Sequence, residues 1–234
     1  MKYFNLLIFS ILCLTSYAQK PELKVLCAGI EDLYKQTKPL HLEYTMTMVG
    51  TGMSPGTEHI SVNIFKDDKK VKMKMGQAQD IVQDNGIVIM ANHIQKLIMV
   101  SVDTGKSVSP DLLLGDLTEL IDSAASIDVK KDKGLTTYTL RFGNDFVYTL
   151  LKMRFSDKTK HVDMIYSEFS PMYPEPYYSL QVDYKKWDLD WKPEHNFPNM
   201  KDFVSKQANG KYIPAGIYTK YEIFQPEKQR INPQ

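Results

Sequence analysis

Apolar and polar residues alternate strictly over several short stretches in the first hundred positions. His41-Leu42-Glu43-Tyr44-Thr45-Met46-Thr47-Met48 is the longest, and Ile60-Ser61-Val62-Asn63-Ile64 and Lys70-Val71-Lys72-Met73-Lys74-Met75 repeat the pattern. A period of two sends successive side chains to opposite faces, so each stretch predicts a strand with one apolar and one wet face. Methionine recurs on the apolar side at Met46, Met48, Met73 and Met75, and again at Met90 and Met99 on the two strands that follow. The unbranched thioether fills irregular gaps in a core and equally makes deformable binding surfaces. Residue type alone leaves both roles open.

Ahead of these strands, Leu23, Leu26, Cys27, Ile30, Leu33 and Tyr34 recur at helical spacing between Pro21 and Pro39. Proline suits a first helical turn and breaks a pattern that reaches it, so the spacing predicts an amphipathic helix over 21–38. Strands at 40–49, 58–66, 71–75, 79–82, 87–90 and 96–100 follow as hairpins. Asp84-Asn85-Gly86 supplies the strongest turn signal among them. Ser109-Pro110 opens a second predicted helix over 110–122, with Leu113, Leu114, Leu117, Leu120 and Ile121 along one stripe. Strands resume at 126–131, 135–142, 146–155, 161–169 and 178–184, and Ile217 to Phe224 is expected to close the sheet. Hairpin connections imply antiparallel pairing. The expected fold is α+β: one long, strongly curved antiparallel sheet covered by two or three helices, in a single domain over 19–234.

Residues 1–18 change the picture by giving an address. Lys2, the apolar run through Leu14 and the small residues before Gln19 form a cleavable secretory signal, cut near Ala18-Gln19. The run is short for a bilayer span, so no integral span is expected in the mature chain. Cys13 leaves with the signal, and Cys27 stays as a single thiol on the helical stripe, read as structural. The net charge of +1 falls to zero once Lys2 is removed. Neutrality removes the electrostatic case for nucleic acid or an anionic membrane.

No constellation makes a convincing catalytic set. Gly105-Lys106-Ser107 has Val100 where a phosphate loop needs glycine. The five histidines include no metal-binding helical pair, and His161 with Asp163 supplies only two ligands. Asp183, Asp188, Asp190 and Glu194 lie around Trp187 and Trp191, which leaves a hydrolase as the least favoured reading. No metal, cofactor or catalytic residue is expected.

The order of elements resembles the LolA/LolB-like superfamily of periplasmic proteins. The likeness rests on the helix from Leu23 to Tyr34, the Leu42–Met48 strand, Ile64-Phe65-Lys66, Val71–Met75 and the Asp84-Asn85-Gly86 hairpin. It implies an incomplete β-barrel lidded by helices, with an apolar cavity that carries lipid or the acyl chains of lipoproteins. On that reading the cavity is lined by Tyr44, Met46, Met48, Ile64, Met73 and Met75, joined by Met90, Met99, Leu113 and Leu117. The resemblance implies acyl chains and an envelope protein as partners, for a periplasmic or otherwise exported, non-catalytic monomer. The alternative is a structural or sensory module of the cell envelope whose core is full.

Overall fold

A computed structural model describes residues 19–34, 37–51, 55–102, 117–172, 176–195 and 197–225. Helix α1 covers residues 19–34. Strands β1 (Leu40–Gly50), β2 (Thr57–Asp67), β3 (Lys70–Met75), β4 (Gln79–Asp84), β5 (Ile87–Asn92) and β6 (Leu97–Val102) follow. After α2 (Leu117–Ser123) come β7 (Ser126–Asp132), β8 (Leu135–Arg141), β9 (Tyr148–Ser156), β10 (Val162–Phe169) and β11 (Tyr177–Asp188). Three short strands end the chain: β12 (Val204–Lys206), β13 (Tyr212–Pro214) and β14 (Glu222–Phe224). Twelve strands hydrogen-bond in the order β14-β6-β5-β4-β3-β2-β1-β11-β10-β9-β8-β7, and β12 pairs only with β13. The large sheet is open, with β14 and β7 at its ends, and the class is α+β.

The expected turn at Asn85-Gly86 is present. Asp84 pairs with Ile87, and the two residues between them have φ of 49° and 72°. Two consecutive positive φ values make the turn whose twist matches the flanking strands, and glycine adopts one of them without steric cost.

The chain divides into two compact units. The first gathers Met1–Gln36, Tyr44–Ile60 and Pro110–Lys185; the second gathers Thr37–Glu43, Ser61–Ser109 and Lys186–Gln234. Strands β1, β2 and β11 run through both.

In the first unit the two-faced sheet is realised as alternation predicts. Tyr138, Met153, Ile165 and Val182 stand opposite one another across β8, β9, β10 and β11, and all are buried. Thr137, Arg154 and Asp183 stand on the other face, joined in register by the buried Met164, and Arg154 Nε donates to Asp163 Oδ2 at 2.5 Å. Helix α1 buries Leu23, Cys27 and Ile30, and the Cys27 thiol lies 4.0 Å from the sulfur of Met153. Helix α2 has no basic residue in its own last turn, and α1 supplies the missing charge. Lys20 Nζ donates to the carbonyls of Asp122 and Ala124, and Lys24 pairs with the Asp122 carboxylate at 2.6 Å. Cations at a helix C-terminus satisfy its orphan carbonyls.

The second unit departs from the expectation of one wet face. Val82, Ile89, Ala91, Ile98 and Val100 form a buried cluster with Phe203, Val204 and Tyr218. Residues 200–223 therefore pack on the face of β4, β5 and β6 that alternation assigns to water. The runs Ile87-Val88-Ile89-Met90-Ala91 and Leu97-Ile98-Met99-Val100 are apolar at almost every position. Such runs belong to strands covered on both faces.

The segment from Ile217 to Phe224 ends the sheet with its last three residues only. Gly216–Tyr218 is a 3-10 turn, and only Glu222–Phe224 is extended, pairing parallel with β6 through Leu97, Ile98 and Met99. Ahead of it, Gly216 has φ of +55°, and a Cβ there would stand 2.7 Å from the Asp202 carbonyl oxygen, so the turn requires glycine. The predicted helix start at Ser109-Pro110-Asp111 and the Gly105-Lys106-Ser107 segment lie outside the described residues.

Candidate ligand-binding face

Strand register in the second unit assembles a continuous apolar row. Ile64 stands opposite Met73, Met73 opposite Ile81, Ile81 opposite Met90, Met90 opposite Met99, and Met99 opposite Phe224. Directly opposed residues on neighbouring strands share a face, so the six side chains form one stripe across β2, β3, β4, β5, β6 and β14. Exposure rises along it. Ile64 is 1% exposed, Met73 and Ile81 are each 6%, Met90 is half-buried, Met99 is 42% and Phe224 is 52% exposed. Met75 belongs to the next row on the same face, opposite Val62 and Gln79, and is half-buried.

A mixed row of polar residues and valines flanks the stripe on its other side. Lys66, Val71, Gln83, Val88 and Ser101 stand opposite one another in turn. Gln83 is buried, and burial pulls the Lys66 ammonium below the ordinary lysine range against the opposing pull of Asp68 and Asp67.

In the first unit, Tyr44, Met46 and Met48 share the other set of expected lining residues. Tyr44 and Met46 are buried and Met48 is half-buried, all on one side of β1 by alternation. The Tyr44 ring lies 5.5 Å from that of Tyr184. Burial, and then Tyr184, pushes the Tyr44 hydroxyl above the usual tyrosine range, so it stays protonated. Leu117 is buried at the start of α2 as described. Leu113 lies outside the described residues.

Of the residues expected to line a site, Ile64, Met73, Met90 and Met99 fall into one row. Ile81 and Phe224 complete it and were not anticipated. The signal for Ile81 was the alternation Gln79-Ile81-Gln83 within its own strand. Phe224 lay in a segment read for closure rather than for its edge.

A polar cluster lies on the opposite face of the same strands. The Tyr218 hydroxyl donates to Asp80 Oδ2 at 2.9 Å, and His93 Nε2 lies 3.4 Å from the same oxygen. His93 Nδ1 lies 3.0 Å from the Tyr221 hydroxyl. The Tyr218 ring stacks on Phe203 with centroids 4.8 Å apart and meets Tyr221 edge-on at 5.2 Å. Burial first, and the bond to Asp80 second, raises the Tyr218 pKa, which keeps that hydroxyl a donor.

The residues weighed for chemistry are engaged elsewhere. Burial pushes the Cys27 thiol up to about 12, which removes the thiolate that a nucleophile needs. Asp188 pairs with Lys186 at 3.2 Å and accepts the Asp190 backbone N–H, and Asp183 accepts from the Gln181 amide at 2.8 Å. The bond from Lys186 is the largest influence holding the Asp188 carboxyl below its ordinary range. Among the described residues no group of three or more His, Cys, Asp or Glu side chains could hold a metal ion. No helix among them is long and apolar enough to cross a membrane.

No protein-family model matches this chain, and no curated protein sequence matches it. Among solved structures it is similar to an uncharacterized conserved protein from Thermus thermophilus, at 4% identity and TM-score 0.45, over 87% of this chain and 99% of that one. It is similar to the lipoprotein LppX of Mycobacterium tuberculosis at 11% identity and TM-score 0.43, over 74% and 99% of the two chains. It is also similar to a LolA superfamily protein from Nitrosomonas europaea at 7% identity and TM-score 0.35, over 69% and 90%.

Proposed function

We propose that this protein is an exported, non-catalytic binder or carrier of lipid or lipoprotein acyl chains. The observation that carries the reading is the row from Ile64 to Phe224, covered at β2–β4 and open at β6 and β14. Methionine at three of its six positions gives a surface that adapts to chains of varied shape without new strain. Contiguous exposed apolar residues on a soluble chain mark a place where something apolar binds. Export rests on the signal pattern of residues 1–18, and N-terminal sequencing of the secreted protein should begin at Gln19.

The binding reading is tested by titrating the mature protein with a fluorescent fatty acid. Saturable binding that Met99→Glu abolishes supports it. Binding that the substitution leaves untouched places the acyl chain elsewhere.

A second reading has its own observation. Ile64, Met73 and Ile81 are already covered without a ligand, as a structural or sensory envelope module with a full core requires. A pull-down with an envelope partner, alongside absent fatty-acid binding, would favour it.

A further inference from the structure

We infer that Asp80, His93, Tyr218 and Tyr221 form a latch that holds β14 on the edge of β6 and so sets how far the apolar row is open. This rests on the acyl-chain reading above. Strand β14 is only three residues long, is parallel, and has a strand neighbour on one side alone. Parallel pairing is the weaker kind per residue, and three residues make few ladder bonds. Backbone pairing alone is a poor anchor for so short an edge.

What holds the segment is side-chain chemistry from elements distant in sequence. Asp80 on β4 accepts the hydroxyl of Tyr218, and His93 between β5 and β6 meets the hydroxyl of Tyr221, the residue just before β14. The Glu222 N–H donates to the Lys96 carbonyl at 2.8 Å where the strand begins. On the far side, Gln225 exchanges two bonds with the Tyr212 backbone, donating to its carbonyl at 2.6 Å and accepting from its N–H at 3.1 Å. The segment is thus fixed at both ends of β14. Phe224, which β14 carries, is the last member of the apolar row. Loosening the latch frees Phe224 from Met99 and uncovers the edge of β6, the end of the row where an acyl chain is most accessible.

The test uses the mature protein with Tyr218→Phe, which deletes one hydroxyl and keeps the ring that stacks on Phe203. Tyr221→Phe serves as an independent second variant, and Tyr178→Phe, an exposed tyrosine of the first unit, as the control. Amide hydrogen exchange at Glu222 and Phe224, whose N–H groups face β6, and dissociation of a bound fluorescent fatty acid, are measured together. Tyr218→Phe is expected to speed exchange at those amides about tenfold, the effect of one lost bond to a carboxylate, and Tyr221→Phe to speed it severalfold, the effect of one lost bond between side chains. Fatty-acid release should quicken by a similar factor, with the control unchanged in both. Unchanged exchange overturns the latch. Faster exchange with unchanged release overturns its role at the row. If the unaltered protein binds no fatty acid, the acyl-chain reading fails, and exchange still decides whether the latch holds β14.

Discussion

Met90 stands directly opposite Met99 across β5 and β6, and the step between them is where the apolar row passes from half-buried to open. Along this one row Met73 is covered and Met99 faces outward.

This division predicts opposite consequences for the two ends. Met73→Ala removes a covered side chain and should cost about 2–5 kcal/mol of stability, read as a lower urea midpoint. Met99→Glu should change stability by only about 0.5 kcal/mol, because its side chain is open to water, yet abolish fatty-acid binding. Equal stability losses at both positions would contradict the assignment.

The Cys27 thiol makes stability depend on alkaline pH. Burial raises its folded-state pKa to about 12, from an ordinary value of 9.0. The folded chain therefore favours the protonated thiol. The contribution is fully present below pH 9.0 and is lost as pH rises towards about 12. Cys27→Ala should flatten that part of the urea-midpoint profile relative to the unaltered protein. Burial raises the Tyr44, Tyr138 and Tyr218 hydroxyls as well and adds a pH dependence of the same sign, so the difference between the two proteins is the quantity to read. A thiol reagent should label Cys27 only as fast as the chain opens.

Gly216 and Gly210 separate two costs of adding a side chain. Both have positive φ, but a Cβ at Gly216 meets the Asp202 carbonyl oxygen at 2.7 Å and one at Gly210 meets nothing within 4 Å. Gly210→Ala should cost about 1–2 kcal/mol from backbone strain alone. Gly216→Ala should cost more and loosen Tyr218 from Phe203, visible as faster amide exchange in β14.

Much of the fold was legible because alternation speaks for itself. The strands from β1 to β11, the Asn85-Gly86 hairpin and the stripe of α1 all follow from local spacing. What local spacing could not show was pairing over distance. That Ile81 joins Met73 to Met90, or that Phe224 meets Met99 in parallel, depends on register between strands distant in sequence. The covered second face of β4–β6 was signalled by nearly unbroken apolar runs. Their partner, an aromatic segment around Phe203 and Tyr218 more than a hundred residues away, carries no period that announces it. The polar cluster of Asp80, His93, Tyr218 and Tyr221 is similarly scattered in sequence.

The central claim is that an acyl chain occupies the row ending at Met99 and Phe224. Native mass spectrometry of the mature protein, released from its own envelope without detergent, tests it most directly. The account predicts a population carrying additional mass that denaturation releases as lipid or acylated peptide, and that Met99→Glu loses. A single ligand-free mass, from a protein that also fails to bind a fluorescent fatty acid, would contradict it.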